Sequence, residues 1–212
     1  MSLLPHQLEL LSPARDADIG IEAINHGADA VYIGGPSFGA RAGAGNPIAD
    51  IERLASHAHR FNARVLVALN TILSDNELEA ARTLIWQFWN AGADALIVSN
   101  HGGRQLDGAL SSIRILPSIV RAVKGQTEIW IDSGIRSGQD VLKALAMGAH
   151  GTMIGRSYIY GLGAMGEAGV TKALEVIRKE LDITMALCGE RDVKELGRQN
   201  LLIPKDFLDS YV

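Results

Sequence analysis

Residues 92–108 read GADALIVSNHGGRQLDG, and this stretch decides the fold. Ala95 to Val98 is apolar at every position, which fits a short strand buried on both faces better than one with a wet side. Gly92 precedes it as a helix-ending residue. Beyond it, the polar Ser99 and Asn100 lead into a glycine-bearing turn that carries His101 and Arg104, three apart. A strand covered on both sheet faces belongs to a parallel sheet flanked by helices, and polar residues at its carboxyl end lie where such folds bind ligands.

Working outward, comparable apolar runs occur at 8–12 (LELLS), 30–34 (AVYIG), 64–70 (RVLVALN), 95–100 (ALIVSN), 128–133 (EIWIDS) and 151–156 (GTMIGR). Segments of helical period separate them. The first ends at Gly27; the second is expected to start with Asn46 as N-cap and Pro47 at the first helical position. The third opens with Ser74 and Glu77 at capping-box spacing and closes at Gly92, and two more end at Gly125 and Gly148. HGADAVYIGG, AGADALIVSNHGG and MGAHGTMIGRS echo one another, each running from a helix-ending glycine through a strand to a glycine-bearing loop. The expectation is an α/β, TIM-barrel-like (β/α) repeat of about six parallel strands, a partial or rearranged barrel in a single domain over 1–212. The segment after Gly166 reads as helical and adds no strand.

Composition bounds the function. The chain has 212 residues, 47% of them apolar, a formal charge of −4 and one cysteine, Cys188. The charge gives no global attraction for nucleic acid, and the single cysteine rules out an internal disulfide or a cysteine-rich metal site. No apolar run reaches membrane-spanning length, and the opening MSLLPHQLELL has no secretory pattern, so a cytoplasmic protein without membrane contact is expected. His57 and His59 are two apart and do not share a helix face, which argues against a metal pair. Trp86, Phe88 and Trp89 read as core and interface.

Three strand ends carry candidate chemistry. His101 can take a proton near neutral pH, and Arg104 can hold a carboxylate by two parallel hydrogen bonds. DSGIRSG places Asp132, Gly134 and Arg136 where a strand gives way to a helix, and IGRS places Gly155 and Arg156 at the next such turn. Two glycine-bearing turns with arginines, each opening toward a helix, form a phosphate cradle. Each residue alone has a plainer reading: His101 as a hydrogen-bonding turn residue, the arginines as surface ion pairs, Asp132 as a helix cap. Their recurrence on successive strand ends favours an anionic ligand.

From about residue 91 to 206 the chain resembles the FMN-dependent α-hydroxy-acid oxidase/dehydrogenase family. The resemblance is carried by GADALIVSNHGGRQLDGALSSIRILPSIVRAVKG, DSGIRSGQDVLKALAMGA, IGRSYIYGL and GEAGVTKALEVIRKELDITMALCG. It implies that His101 is the catalytic base, that Arg104 binds the substrate carboxylate, and that Asp132, Gly134, Arg136, Gly155 and Arg156 hold FMN. The implied substrate is a small 2-hydroxy acid such as lactate or glycolate.

From about residue 8 to 98 the chain resembles the N-terminal region of peptidase family U32, through LELLSPARDADIGIEAINHGADAVYIGGPSFGARAGAGN, AHRFNARVLVALNTIL and GADALIV. The two resemblances meet in GADALIV, which either family can supply, and together they imply a chimera, recombined or engineered, of a fragment over 1–98 and one over 91–212. Residues 1–90 hold no motif matching the oxidase family's flavin-ring lysine, histidine-paired aspartate or substrate tyrosines, so binding is expected to outlast turnover. Three functions are thus open: an FMN-dependent oxidoreductase acting on a 2-hydroxy acid, a chimeric scaffold that binds FMN or phosphate weakly without turnover, and a U32-type role in RNA modification. Unpaired sheet edges predict a homo-oligomer or closure into a six-stranded barrel.

Overall fold

A computed structural model describes residues 9–36, 45–69, 78–103, 110–204 and 207. In chain order the elements are β1 (Leu11–Ala14), α1 (Ala17–Asn25), β2 (Ala30–Gly34), α2 (Ile48–Arg60), β3 (Arg64–Leu69), α3 (Leu78–Asn90), β4 (Ala95–Val98), α4 (Ser112–Val123), β5 (Glu128–Ile131), α5 (Gly138–Ala146), β6 (Gly151–Thr152), α6 (Arg156–Met165) and α7 (Glu167–Leu187). The strand order is β1-β2-β3-β4-β5-β6, matching chain order. The registered pairs β1/β2, β2/β3 and β5/β6 are parallel. This is the α/β repeat of about six parallel strands expected from the sequence.

The chain divides into two compact units, one of residues 1–97 with 123–128, the other of 98–122 with 129–212. In the first, Val31, Ile33, Ile51, Leu54, Val65 and Phe88 are fully buried. Gly35 lies against the Phe88 ring so closely that a Cβ there would overlap it. In the second, Leu116, Ile129 and Ile131 form the buried centre. There α7 packs on α5 and α6 at glycines: a Cβ on Gly138 would overlap the backbone of Leu181, and one on Gly169 would overlap the carbonyl of Gly161.

The internal echo has a physical basis. In each of the three echoing segments, a helix ends in a glycine with positive φ (Gly27 94°, Gly92 87°, Gly148 104°). The next alanine (Ala28, Ala93, Ala149) donates its N–H back to Ala23, Phe88 and Ala144 respectively. This is the Schellman type of helix ending, which only glycine adopts without strain. The residue after that alanine then latches the start of the preceding strand. Asp29 donates its N–H to Leu10 O at 3.0 Å and accepts Leu10 N on Oδ2 at 2.8 Å. Asp94 does the same with Val65 at 2.9 and 2.7 Å. His150 does it with Ile129 at 2.7 and 3.1 Å, the acceptor being Nδ1.

Several expectations are corrected. The first strand is Leu11–Ala14, with Leu10 held just ahead of it by the Asp29 latch, and residue 8 lies outside the described residues. It contains Pro13, tolerated because β1 ends the strand order. Asn46 is not the cap of α2; Pro47 holds that position and makes no side-chain cap bond. The buried Asn46 amide instead donates to Arg15 O at 3.1 Å and Gly34 O at 3.0 Å, fastening the carboxyl ends of β1 and β2. The last strand is two residues long, not six. After α7 come two 3₁₀ turns, Val193–Glu195 and Arg198–Asn200, rather than a longer helix. The Ser74–Glu77 capping box lies outside the described residues.

Candidate active site

All the described site residues lie in the second unit, on three consecutive strand ends. The first loop leaves β4. His101, Gly102 and Gly103 take φ values of 55°, 76° and 68°, three left-handed residues in succession. A non-glycine residue there is strained by roughly 1–2 kcal/mol, so His101 stays only because neighbouring groups hold the turn. Each N–H of the turn is engaged: His101 donates to Ser99 Oγ at 3.0 Å, Gly102 to Ser133 Oγ at 3.1 Å, and Gly103 to Asn100 O at 3.0 Å. Asn100 Nδ2 donates to Leu110 O at 3.1 Å, tying the exit of β4 to the segment that leads into α4. The imidazole of His101 is exposed. Arg104 lies outside the described residues.

The second loop leaves β5. Asp132 donates its N–H to Val98 O at 3.1 Å, which continues the ladder between β4 and β5. Its carboxylate accepts from the hydroxyl of Ser133, so Asp132 is not the cap of the following helix. Ser137 has that role, in a capping box with Asp140. Asp140 Oδ2 also accepts the N–H groups of Arg136 and Ser137, each at 3.1 Å, and Glu180 of α7 accepts Gly138 N at 3.0 Å. The start of α5 is therefore already neutralised by two carboxylates from the chain itself.

The third loop, from β6 into α6, differs. Gly155 occupies the N-cap position with no side-chain cap bond, and open space lies where its Cβ would be. Arg156 begins the helix and is exposed, as is Arg136; neither guanidinium forms an ion pair among the described residues. Ser157 Oγ donates to Ile135 O at 3.4 Å, joining the third loop to the second as Ser133 joins the second to the first. Two hydroxyls thus stitch the three loops in a row. One polar atom is left over: Asn100 Oδ1 is buried without a hydrogen-bond partner among the described residues, and such an acceptor calls for a donor.

Sequence reasoning missed Ser112, Ser133, Asp140 and Glu180 and gave no role to Ser99 or Asn100 individually. Of these only Asp140 carries a readable signal, its capping-box interval from Ser137.

Comparison with known proteins finds two families in the chain. The family model for FMN-dependent dehydrogenase matches residues 82–203, and that for peptidase family U32 matches residues 16–112. Over 111 residues the chain is 53% identical to an L-lactate dehydrogenase of Vibrio cholerae serotype O1, and 52% identical to one of Actinobacillus pleuropneumoniae; each match takes in 52% of this chain and 29% of the relative. The chain thus spans under a third of the length of the curated relatives it matches. Mandelate oxidase bound to (S)-2-phenylpropionate superposes with a TM-score of 0.70 at 30% identity, covering 89% of this chain and 60% of the oxidase. A mandelate oxidase variant with a monooxide FMN adduct gives 0.68 at 35%, covering 90% and 60%. Two families therefore meet in one chain, their matches overlapping within 82–112. The larger match covers more than half of the sequence and all three loops, and the chain belongs to the FMN-dependent dehydrogenase family.

Proposed function

We propose that this chain binds FMN through its phosphate at the start of α6 and acts on a small 2-hydroxy acid, with His101 as the base. The observation that carries this reading is the stitched row of loops. It joins the His101 turn to the Asp132–Arg136 loop and that loop to the uncapped start of α6. The donor set fits a phosphate: helix N–H groups that carry no side-chain cap among the described residues, an open glycine at 155, and the guanidinium groups of Arg136 and Arg156. Asp132 and Gly134 belong to the same loop, Gly134 with a φ of 94° and open space where a Cβ would be. A bound group that donates a hydrogen bond would also satisfy Asn100 Oδ1.

Bound FMN supplies a two-electron acceptor for oxidation of the hydroxy acid. The chain's own residues supply position and charge. His101 removes a proton from the substrate, and the strained turn fixes the direction from which its imidazole approaches. Arg104 holds the substrate carboxylate.

A second reading is binding without turnover. It draws on the U32 match over 16–112, because β1 to β3 then come from a family other than that of the FMN site. Lactate and glycolate separate the two. A yellow protein whose flavin bleaches anaerobically on adding either acid is the oxidoreductase; a yellow protein that stays oxidised is the binding scaffold.

The reading includes association of copies. On α6, Ile159, Tyr160, Leu162 and Met165 are all more than half exposed, and a helix so apolar outside its packed side is normally covered. Light scattering is expected to give a mass above that of one chain. Among the described residues no helix is long and apolar enough to cross a membrane.

A further inference from the structure

We infer that Ser133 is a positioning residue for His101. The inference deepens the proposed function and rests on it only for its catalytic consequence. Ser133 has a φ of 68°, so it is a second non-glycine residue in the left-handed region, one loop away from His101. Its backbone is held there by Ser112, whose hydroxyl is buried at the start of α4 and donates to Asp132 O at 2.7 Å and Ser133 O at 3.2 Å. Its own hydroxyl works both ways: it donates to Asp132 Oδ1 and accepts Gly102 N at 3.1 Å.

Gly102 follows His101 directly. The N–H before it is held by Ser99 and the N–H after it by Asn100, both from the β4 exit itself. The bond to Ser133 is the one among these three that comes from another strand end. It therefore sets the turn relative to the β5 loop, whereas the other two only shape the turn. That hydroxyl therefore bears on how the imidazole is turned toward anything held by the Asp132–Arg136 loop. Serine accepts backbone strain here in return for the bond; glycine would relieve the strain and lose the bond.

That opposition provides the test. Ser133→Gly separates positioning from stability, since the backbone gain offsets the lost hydrogen bond in the folding equilibrium. In flavin-free protein, the melting temperature of Ser133→Gly is expected to stay level or rise. Its Gly102 amide is expected to exchange with solvent about tenfold faster, the effect of one lost hydrogen bond. The His101 ring resonances, identified by their loss in His101→Gln, are expected to shift. Ser133→Asn tolerates positive φ and restores an acceptor, so it should return much of the Gly102 protection. Unchanged Gly102 exchange and unchanged His101 resonances in Ser133→Gly overturn the inference. These readouts need no cofactor, so they stand apart from a failure of the wild-type chain to bind FMN, which would sink the proposed function instead. If FMN does bind, Ser133→Gly saturated with FMN should reduce its flavin with lactate about tenfold or more slowly than the wild type. Loss of affinity with no change in the reduction rate also overturns the inference.

Discussion

The carboxylate of Glu180, in the middle of α7, accepts the backbone N–H of Gly138 at 3.0 Å and so caps the start of α5 from a different helix. The same glycine lets the two backbones approach, since a Cβ on Gly138 would overlap Leu181. Glu180→Ala should cost about 1.5–3 kcal/mol, the range for a hydrogen bond to a charged group. Gly138→Ala should cost about 1–3 kcal/mol by overpacking. Urea midpoints check both, and the two losses should not add, because each variant moves α7 away from the same place.

The latches predict an asymmetry among their three members. Asp94→Ala leaves Val65 N without its side-chain acceptor and removes the contact from His59 Nε2 at 3.1 Å; a loss of about 1–3 kcal/mol is expected. His150→Asp should do the reverse. It puts a charged acceptor where the other two latches have one, and charge-assisted bonds are about twice as strong. A melting temperature raised by a few degrees, about 1 kcal/mol for a chain of this size, is the expected result, and a fall would show that the imidazole does more than accept Ile129 N.

Acid sensitivity is expected at the start of α1. Asp16 caps that helix, and the Ile19 N–H it accepts, followed by the neighbouring Arg15 guanidinium, holds its carboxyl below the usual carboxylate range. A carboxyl depressed in the folded state contributes stability above its unfolded pKa, about 3.9, and loses it as pH falls through the lower folded value. Wild-type melting temperatures should therefore drop below about pH 4. Asp16→Asn keeps a capping oxygen without the charge, so it should melt lower near neutral pH and fall less steeply with acid.

Phosphate recognition should be lopsided. Arg156→Ala removes a cation at the uncapped start of α6, and Arg136→Ala one from the loop whose Ile135 carbonyl meets Ser157; each should weaken FMN about 10- to 100-fold, the equivalent of one charge-assisted bond. Ser137→Ala removes the cap of α5, where Asp140 and Glu180 already occupy the N–H groups. It should lower stability by about 1 kcal/mol and leave FMN affinity nearly unchanged. Calorimetric titration with FMN and thermal melts separate the two classes.

What could be read in the sequence was local. Gly27, Gly92 and Gly148 mark helix ends because the conformation they need is set within a few residues, and the apolar runs at 30–34 and 95–98 mark strands for the same reason. His101, Asp132, Arg136, Gly155 and Arg156 stood out because their types and spacing suggest chemistry. The groups that hold them did not. Asn46 looked like a cap, since nothing near it in the chain announces that its amide reaches carbonyls 31 and 12 residues away. Ser112 and Ser133 looked like ordinary serines; their use depends on a positive φ and on partners some 20 and 31 residues distant.

The repeated latch bears on how such a chain can exist. Each pair of strands, β1 with β2, β3 with β4 and β5 with β6, is fastened at its base by the same pair of bonds, one backbone and one side-chain. The fastening needs only a glycine, an alanine and a residue with a short acceptor, all local to one turn. A module ending in this fitting can be exchanged for another that carries it, whatever the ancestry of the rest. The GADA at 92–95 is such a fitting, and it lies inside the stretch where the two family matches overlap. Recombination there changes the inheritance of the loops without asking the sheet to learn a new joint.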